Sequence, residues 1–502
     1  MDRGLMLAGA AMLLMATPAL AAPSAKDRAA LAAAIRASHG ATVKRLQDWI
    51  ALPTIANMGI NHKEGADYMR KLALDAGFQQ ARIVQTDGVP GVFATLDAGA
   101  KDTLAVYFMY DVKHYDPKEW SSPPLEGRIV DRPGEGKAMI GRGAVNQKGP
   151  ETAFLAALHA FKDSGAKLPV NLVLVAEGEE EIGSPNFHNI VTQPDVKAAL
   201  EKSVGVIIPA AAQSIDGAVS LVLGAKGVVE LQLVSSGEKW GRGPAKDVHS
   251  SLKASVDSPV WHLIKALNTL VSEDGQTPAI DGWYENVKPL TARQKALIAA
   301  DVAGSNEADD LKSLGIKHWY KDEDYLTASN RLASQPTVNI QGLVSGYMGP
   351  GGKTVLPGRA EAKIDLRLVP DMTKEEAVAK LKAHLAKRGF GDVEVIVSGG
   401  YGPTQTDENS LLIKAEQATL ASTKIPMTMS ARSAGSWPGV TFTGPPLRMA
   451  AGQFGAGRGG GAHAPDEWLL IESSNPKVAG FDDQAILYAD FLYAVADAAA
   501  KK

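Results

Sequence analysis

The 502-residue sequence contains no cysteine. That absence excludes disulfides, a thiolate nucleophile, thiolate metal ligands and a lipid-attachment cysteine. Neither sign of charge is in excess: 52 Lys and Arg stand against 56 Asp and Glu, for a formal net charge of −4. Without a basic field there is no electrostatic case for nucleic acid or an anionic membrane, and neither is expected as a partner. Long hydrophobic runs are missing as well. The apolar stretch at residues 5–15 follows Arg3 and is too short to span a bilayer. With Ala19-Leu20-Ala21 as a small-residue cleavage site, residues 1–21 read as a signal peptide. The expectation is an exported, soluble protein, periplasmic in a bacterium or otherwise secreted.

What is present concentrates in Glu177-Gly178-Glu179-Glu180-Glu181-Ile182-Gly183-Ser184. This stretch follows an apolar run at 170–176, rich in β-branched residues, that reads as a buried strand. Four carboxylates at a strand's C-terminal end repel one another unless a cation or a shared proton offsets the charge. In α/β sheets the carboxyl ends of strands are where ligands sit, so the run is read as a site and not as a solvated acidic turn.

At this length two domains are the default. Helical periodicity at 29–50 and 64–76 is followed by a strand pattern at 104–108, a Pro-rich surface segment at 117–133, a helix from Pro150 and a strand at 204–209. Alternating strands and helices predict an α/β catalytic domain whose mainly parallel sheet is flanked by helices. Near residue 219 the pattern changes. Strands are expected at 219–234, 336–343, 359–369 and 393–397, with helices at 258–271 and from a Thr373/Glu376 capping box to Lys387. That mixture predicts an inserted α+β domain over 219–398, between catalytic parts at 22–218 and 399–502. Residues 281–329 are charged and helix-like but carry no readable motif. Gly455, Gly457 and Gly460 fit G-x-G-x-x-G without a βαβ unit around them, so they read as a loop that carries His463 and not as a dinucleotide site.

With these pieces in place, the chain resembles the dizinc peptidase family of carnosinase, carboxypeptidase G and succinyl-diaminopimelate desuccinylase, and its carnosinase-like branch in particular. The residues that carry the resemblance are Tyr110-Asp111-Val112, Glu119-Trp120, Gly141-Arg142-Gly143-Ala144, Lys148-Gly149-Pro150, the acidic run, Asp247-Val248-His249-Ser250, Arg367-Leu368-Val369-Pro370 and His463-Ala464-Pro465. The resemblance implies a catalytic domain with an inserted lid through which two copies dimerise. It implies Glu180 as general base, Glu181 and His463 as metal ligands, and Asp111 as the carboxylate that orients a ligand histidine. His249 would be the lid histidine that stabilises an oxyanion, commonly across the dimer. Thr354, Arg367 and Ser436 would hold the terminal carboxylate of a small-molecule or peptide substrate. These residue types suit amide hydrolysis beside a carboxylate.

The sequence departs from the pattern at three of the five ligand positions. Met109 stands where a histidine is expected, Asn146 where a bridging aspartate is expected, and Ala210 where a further aspartate is expected. A thioether is a poor zinc ligand, a neutral amide cannot offset two adjacent dications, and a methyl group offers no ligand at all. Zinc therefore stays a candidate cofactor, but a full dizinc centre is not expected. His114-Tyr115-Asp116 repeats the lost His-x-Asp five residues later and reads as a surface or site-rim triplet. The functional expectation is an exported amidohydrolase for a dipeptide or N-acyl amino acid, with a reduced or absent metal centre. The alternatives are a metal-free lyase or acyl-transfer enzyme in the same pocket and a non-catalytic, carboxylate-binding pseudoenzyme.

Overall fold

The computed structural model describes residues 25–501, so the expected signal peptide at 1–21 lies outside the described residues. The larger sheet has six strands in the order Gln80–Val84, Gly91–Leu96, Asn171–Glu177, Thr103–Met109, Ser203–Pro209 and Ala451–Phe454. The last four run parallel, and the first two are antiparallel additions at one edge. The expected α/β domain with a mainly parallel sheet is present.

Both faces of this sheet are covered, which is why its inner parallel strands read as apolar runs. Successive side chains of a strand point to opposite faces. Leu104, Val106 and Phe108 accordingly enter one core with the helices Ala25–Ala37, His39–Ile50, Lys148–Ser164 and Phe481–Ala500. Ala105, Tyr107 and Met109 enter the other, with Phe187, Val196 and Phe442. Among the described residues no helix is long and apolar enough to cross a membrane.

Several local expectations differ from the structure. The single helix expected over 29–50 is two helices that meet at Ser38, whose hydroxyl bonds the Ile35 carbonyl at 2.9 Å and competes with the helical ladder. The Pro-rich segment at 117–133 ends in a strand, Arg128–Arg132, paired with Gly136–Ile140. That hairpin joins Trp468–Ser473 and Gly459–Gly460 in an antiparallel four-stranded sheet. Arg128–Arg132 is polar and mostly exposed, so it carries no burial pattern that a sequence could display.

The inserted unit is a four-stranded antiparallel sheet in the order Thr337–Ser345, Arg359–Leu368, Gly227–Ser236, Glu394–Tyr401. Pro259–Asn268 and Lys374–Lys387 pack on one of its faces, against Val229, Leu231, Leu233, Ala362, Ile364 and Leu366. Thr373 caps the second helix by accepting from the Glu376 amide at 3.2 Å, but Glu376 turns to Lys380 and Asn286, so the expected box is only half formed. The lid sheet begins at Gly227 and not at 219, because Val219–Val222 pairs in parallel with Met427–Ser430. In the unreadable stretch, Ala292–Gly304 and Tyr325–Ser334 bring Leu297, Ile298 and Ala333 against Leu223, Ile413 and Ala431. Those helices therefore brace the catalytic part and not the lid sheet.

Candidate active site

The strand Asn171–Glu177 ends where the acidic run begins, and a single 3-10 turn, Glu180–Ile182, spreads the run apart. Each carboxylate finds its own donors. Glu177 accepts from the hydroxyls of Tyr107 at 2.8 Å and Ser184 at 2.9 Å, and Glu179 accepts from the Val89 amide and Asn186. These two hold the loop together. Glu180 and Glu181 are left for other contacts.

Asp111, fully buried just beyond the strand Thr103–Met109, accepts from the backbone amides of Glu180 at 3.3 Å and Glu181 at 3.0 Å. Burial, then the neighbouring Glu181 carboxylate, push its pKa up to about 8. Glu180 is also raised well above the ordinary carboxylate value, first by burial and then by Glu181 and Asp111. The Tyr401 hydroxyl donates to Glu180 Oε1 at 3.4 Å. Glu181 accepts from Asn146 Nδ2 at 2.8 Å, and Nε2 of His463 lies 3.1 Å from its Oε2. Asn146 Nδ2 is also 3.1 Å from that ring nitrogen. The residues expected as catalytic and ligating, Asp111, Glu180, Glu181 and His463, thus converge with Asn146.

Met109 and Ala210 take no part in this cluster. Met109 is buried in the apolar core beside Tyr107 and Phe187, with its amide bonded to Glu151 at 2.8 Å. Ala210 makes only backbone bonds, to Phe454, Tyr488 and Gln484. Among the described residues no three His, Cys, Asp or Glu side chains converge as metal ligands. His114 is exposed, and Asp116 caps the turn Pro117–Glu119 by accepting from the Lys118 amide.

The residues expected to grip a carboxylate divide into two groups. Arg367 Nη1 donates to Ser436 Oγ at 3.0 Å, and Asp365 steadies its Nε at 3.0 Å. Arg367 pairs across the lid sheet with Val228, which pairs in turn with Tyr401. Directly opposed residues share a face, so Arg367 and the Tyr401 that bonds Glu180 sit in one row, about 10 Å apart at two strand spacings. Thr354 and His249 lie elsewhere. Both are exposed, His249 in the short pairing of Val248–His249 with Val355–Leu356 and Thr354 just before it, where its carbonyl accepts from the Ser250 amide.

Three residues in contact with the cluster carried no usable signal in the sequence. Glu467 is wholly buried and accepts from the amides of Gly143, Val145 and Asn146 and from Arg142, which shapes the loop that presents Asn146. It stands two residues beyond His463-Ala464-Pro465, and only that proximity could have flagged it. Tyr401 ends a strand after two glycines. Lys113 donates to the Glu181 carbonyl and lies 3.4 Å from its carboxylate.

Residues 107–483 match the Peptidase family M20/M25/M40. The chain belongs to that family. The Cys-Gly metallodipeptidase dug1 of Schizosaccharomyces pombe is 28% identical over 290 residues, covering 57% of this chain and 58% of that protein. The chain thus spans less than two thirds of that relative's length. The Beta-Ala-His dipeptidase of Mus musculus is 26% identical over 406 residues, with 75% and 78% covered. Among solved structures, the M20 family metallo-carboxypeptidase Sso-CP2 from Sulfolobus solfataricus superposes with a TM-score of 0.80 at 31% identity, over 91% of this chain and 99% of that one. The family expected from the motifs is the family found.

Proposed function

We propose that this M20 protein is an exported, dipeptidase-like amidohydrolase that cleaves the amide of a small carboxylate-bearing substrate with a reduced or absent metal centre. The observation that carries this reading is the row linking Glu180, through Tyr401, to the Arg367–Ser436 pair. A substrate whose carboxylate rests on Arg367 places an amide one residue away towards Glu180. Glu180, raised by burial, takes the proton of an attacking water and returns it to the leaving amine. Relatives named as dipeptidases support the substrate class, and the pattern at residues 1–21 supports export.

The residues present do not fit a pair of zinc ions. Asn146, Glu181 and His463 bond one another, and Met109 and Ala210 contribute no ligand. No step is therefore assigned to metal. A panel of dipeptides and N-acyl amino acids, run with and without chelator on protein of known zinc content, tests the proposal. Well below two zinc per chain and chelator-resistant turnover are expected. A full zinc complement with chelator-sensitive turnover would reject the reduced centre, and binding without turnover would favour the pseudoenzyme.

Homodimerisation through the lid belongs to the same proposal. The strand Thr337–Ser345 lies at the sheet's edge with Ile340, Leu343 and Val344 exposed by 51%, 47% and 53%, an unpaired apolar edge that a second copy would cover. His249 and Thr354, exposed on the same lid, would then reach the partner's site. Val344→Glu is expected to turn a dimer into a monomer in sedimentation analysis with its circular dichroism unchanged. A wild-type monomer at micromolar concentration would remove this part of the proposal.

A further inference from the structure

We propose that Lys113 is a tethered cation that takes the charge-balancing place of a divalent ion at Glu181 and keeps such ions out of the site. The inference rests on the reduced-metal reading above and adds the group responsible. Glu181 is nearly wholly buried and stands beside the fully buried Asp111. Buried carboxylates placed this close need a cation or a proton between them.

The other cations around the cluster are committed elsewhere. Arg142 is paired with Glu467 at 2.9 Å, and Lys148 Nζ is held by the carbonyls of Trp49 at 2.8 Å and Leu52 at 3.0 Å. Lys113 is different. It leaves the chain two residues after Asp111, and its ammonium reaches both the carboxylate and the carbonyl of Glu181. An ammonium has three donors on a flexible stem, so it can serve both oxygens and still present a third hydrogen to the cleft. Asn146 and His463 close the opposite side of the same carboxylate. Together these contacts use Glu181 Oε1 and Oε2, the two atoms through which it would ligate an ion.

Zinc chloride is the probe. Wild-type protein, K113R and K113M, each stripped with chelator and dialysed, are titrated with it by calorimetry and thermal shift. Wild type and K113R are expected to show no saturable site and an unmoved Tm. K113M is expected to bind zinc at least about tenfold more tightly than wild type, at Glu181 and His463, because one repelling charge at contact range is gone. Rescue by arginine separates a charge effect from a packing effect. If K113M does not fold, K113Q, which keeps a donor and loses the charge, takes its place. Equal zinc affinity in wild type and the neutral variant would overturn the role of Lys113 while leaving a metal-poor wild type intact. Two tightly held zinc ions in the wild type as purified would instead defeat the reduced-metal reading, and this inference with it.

Discussion

Replacing Glu180 by Gln is expected to lower turnover by about 10³-fold while leaving ligand affinity within about twofold. The substitution keeps the side chain's shape and its place beside Tyr401 but removes the atom that accepts a proton. A base is most effective when its pKa lies near the working pH, and burial moves Glu180 in that direction. Asp111 works one step back: it fixes the amides of Glu180 and Glu181, and so aims both side chains. Initial rates and equilibrium binding of one dipeptide to both proteins decide the matter. Unchanged turnover in the variant would remove Glu180 from the mechanism.

Arg367→Ala is the second large effect, with carboxylate ligands expected to bind about 100-fold more weakly and their C-terminal amides nearly as before. The guanidinium is held on two sides, by Ser436 and by Asp365 two residues back on its own strand. That anchoring fixes its planar fork before any ligand arrives, so little order remains to be imposed on binding. Titration of matched acid and amide ligands against both proteins provides the measurement. Equal losses for the two would count against a carboxylate clamp.

Three of the four parallel strands of the large sheet were legible because they are buried on both faces and read as apolar runs, whereas Ala451–Phe454, a short run of Ala, Gly, Gln and Phe, was not. The edge strand Gln80–Val84 and the hairpin Arg128–Ile140 were not legible. The outermost strands are partly exposed and polar, and their pairing depends on neighbours remote in the chain. Glu180, Glu181 and Asp111 could be singled out because carboxylates at strand ends are chemically unusual. Lys113 and Tyr401 could not, since a lysine after Asp111 and a tyrosine ending a strand look ordinary until folding brings them to Glu181 and Glu180. The residue identities at 109, 146 and 210 were plain, but not that Asn146 would bond both Glu181 and His463.

The contact between the inserted sheet and the acidic turn has a mechanical consequence. Gly399 lies so close to the acidic turn that a methyl group on it would stand 2.5 Å from the Ile182 carbonyl oxygen, and one on Gly183 would stand 2.6 Å from the Gly400 amide nitrogen. Arg367 and Tyr401 ride on that same sheet. Any displacement of the sheet against the acidic turn would therefore move Arg367 and the hydroxyl on Glu180 together.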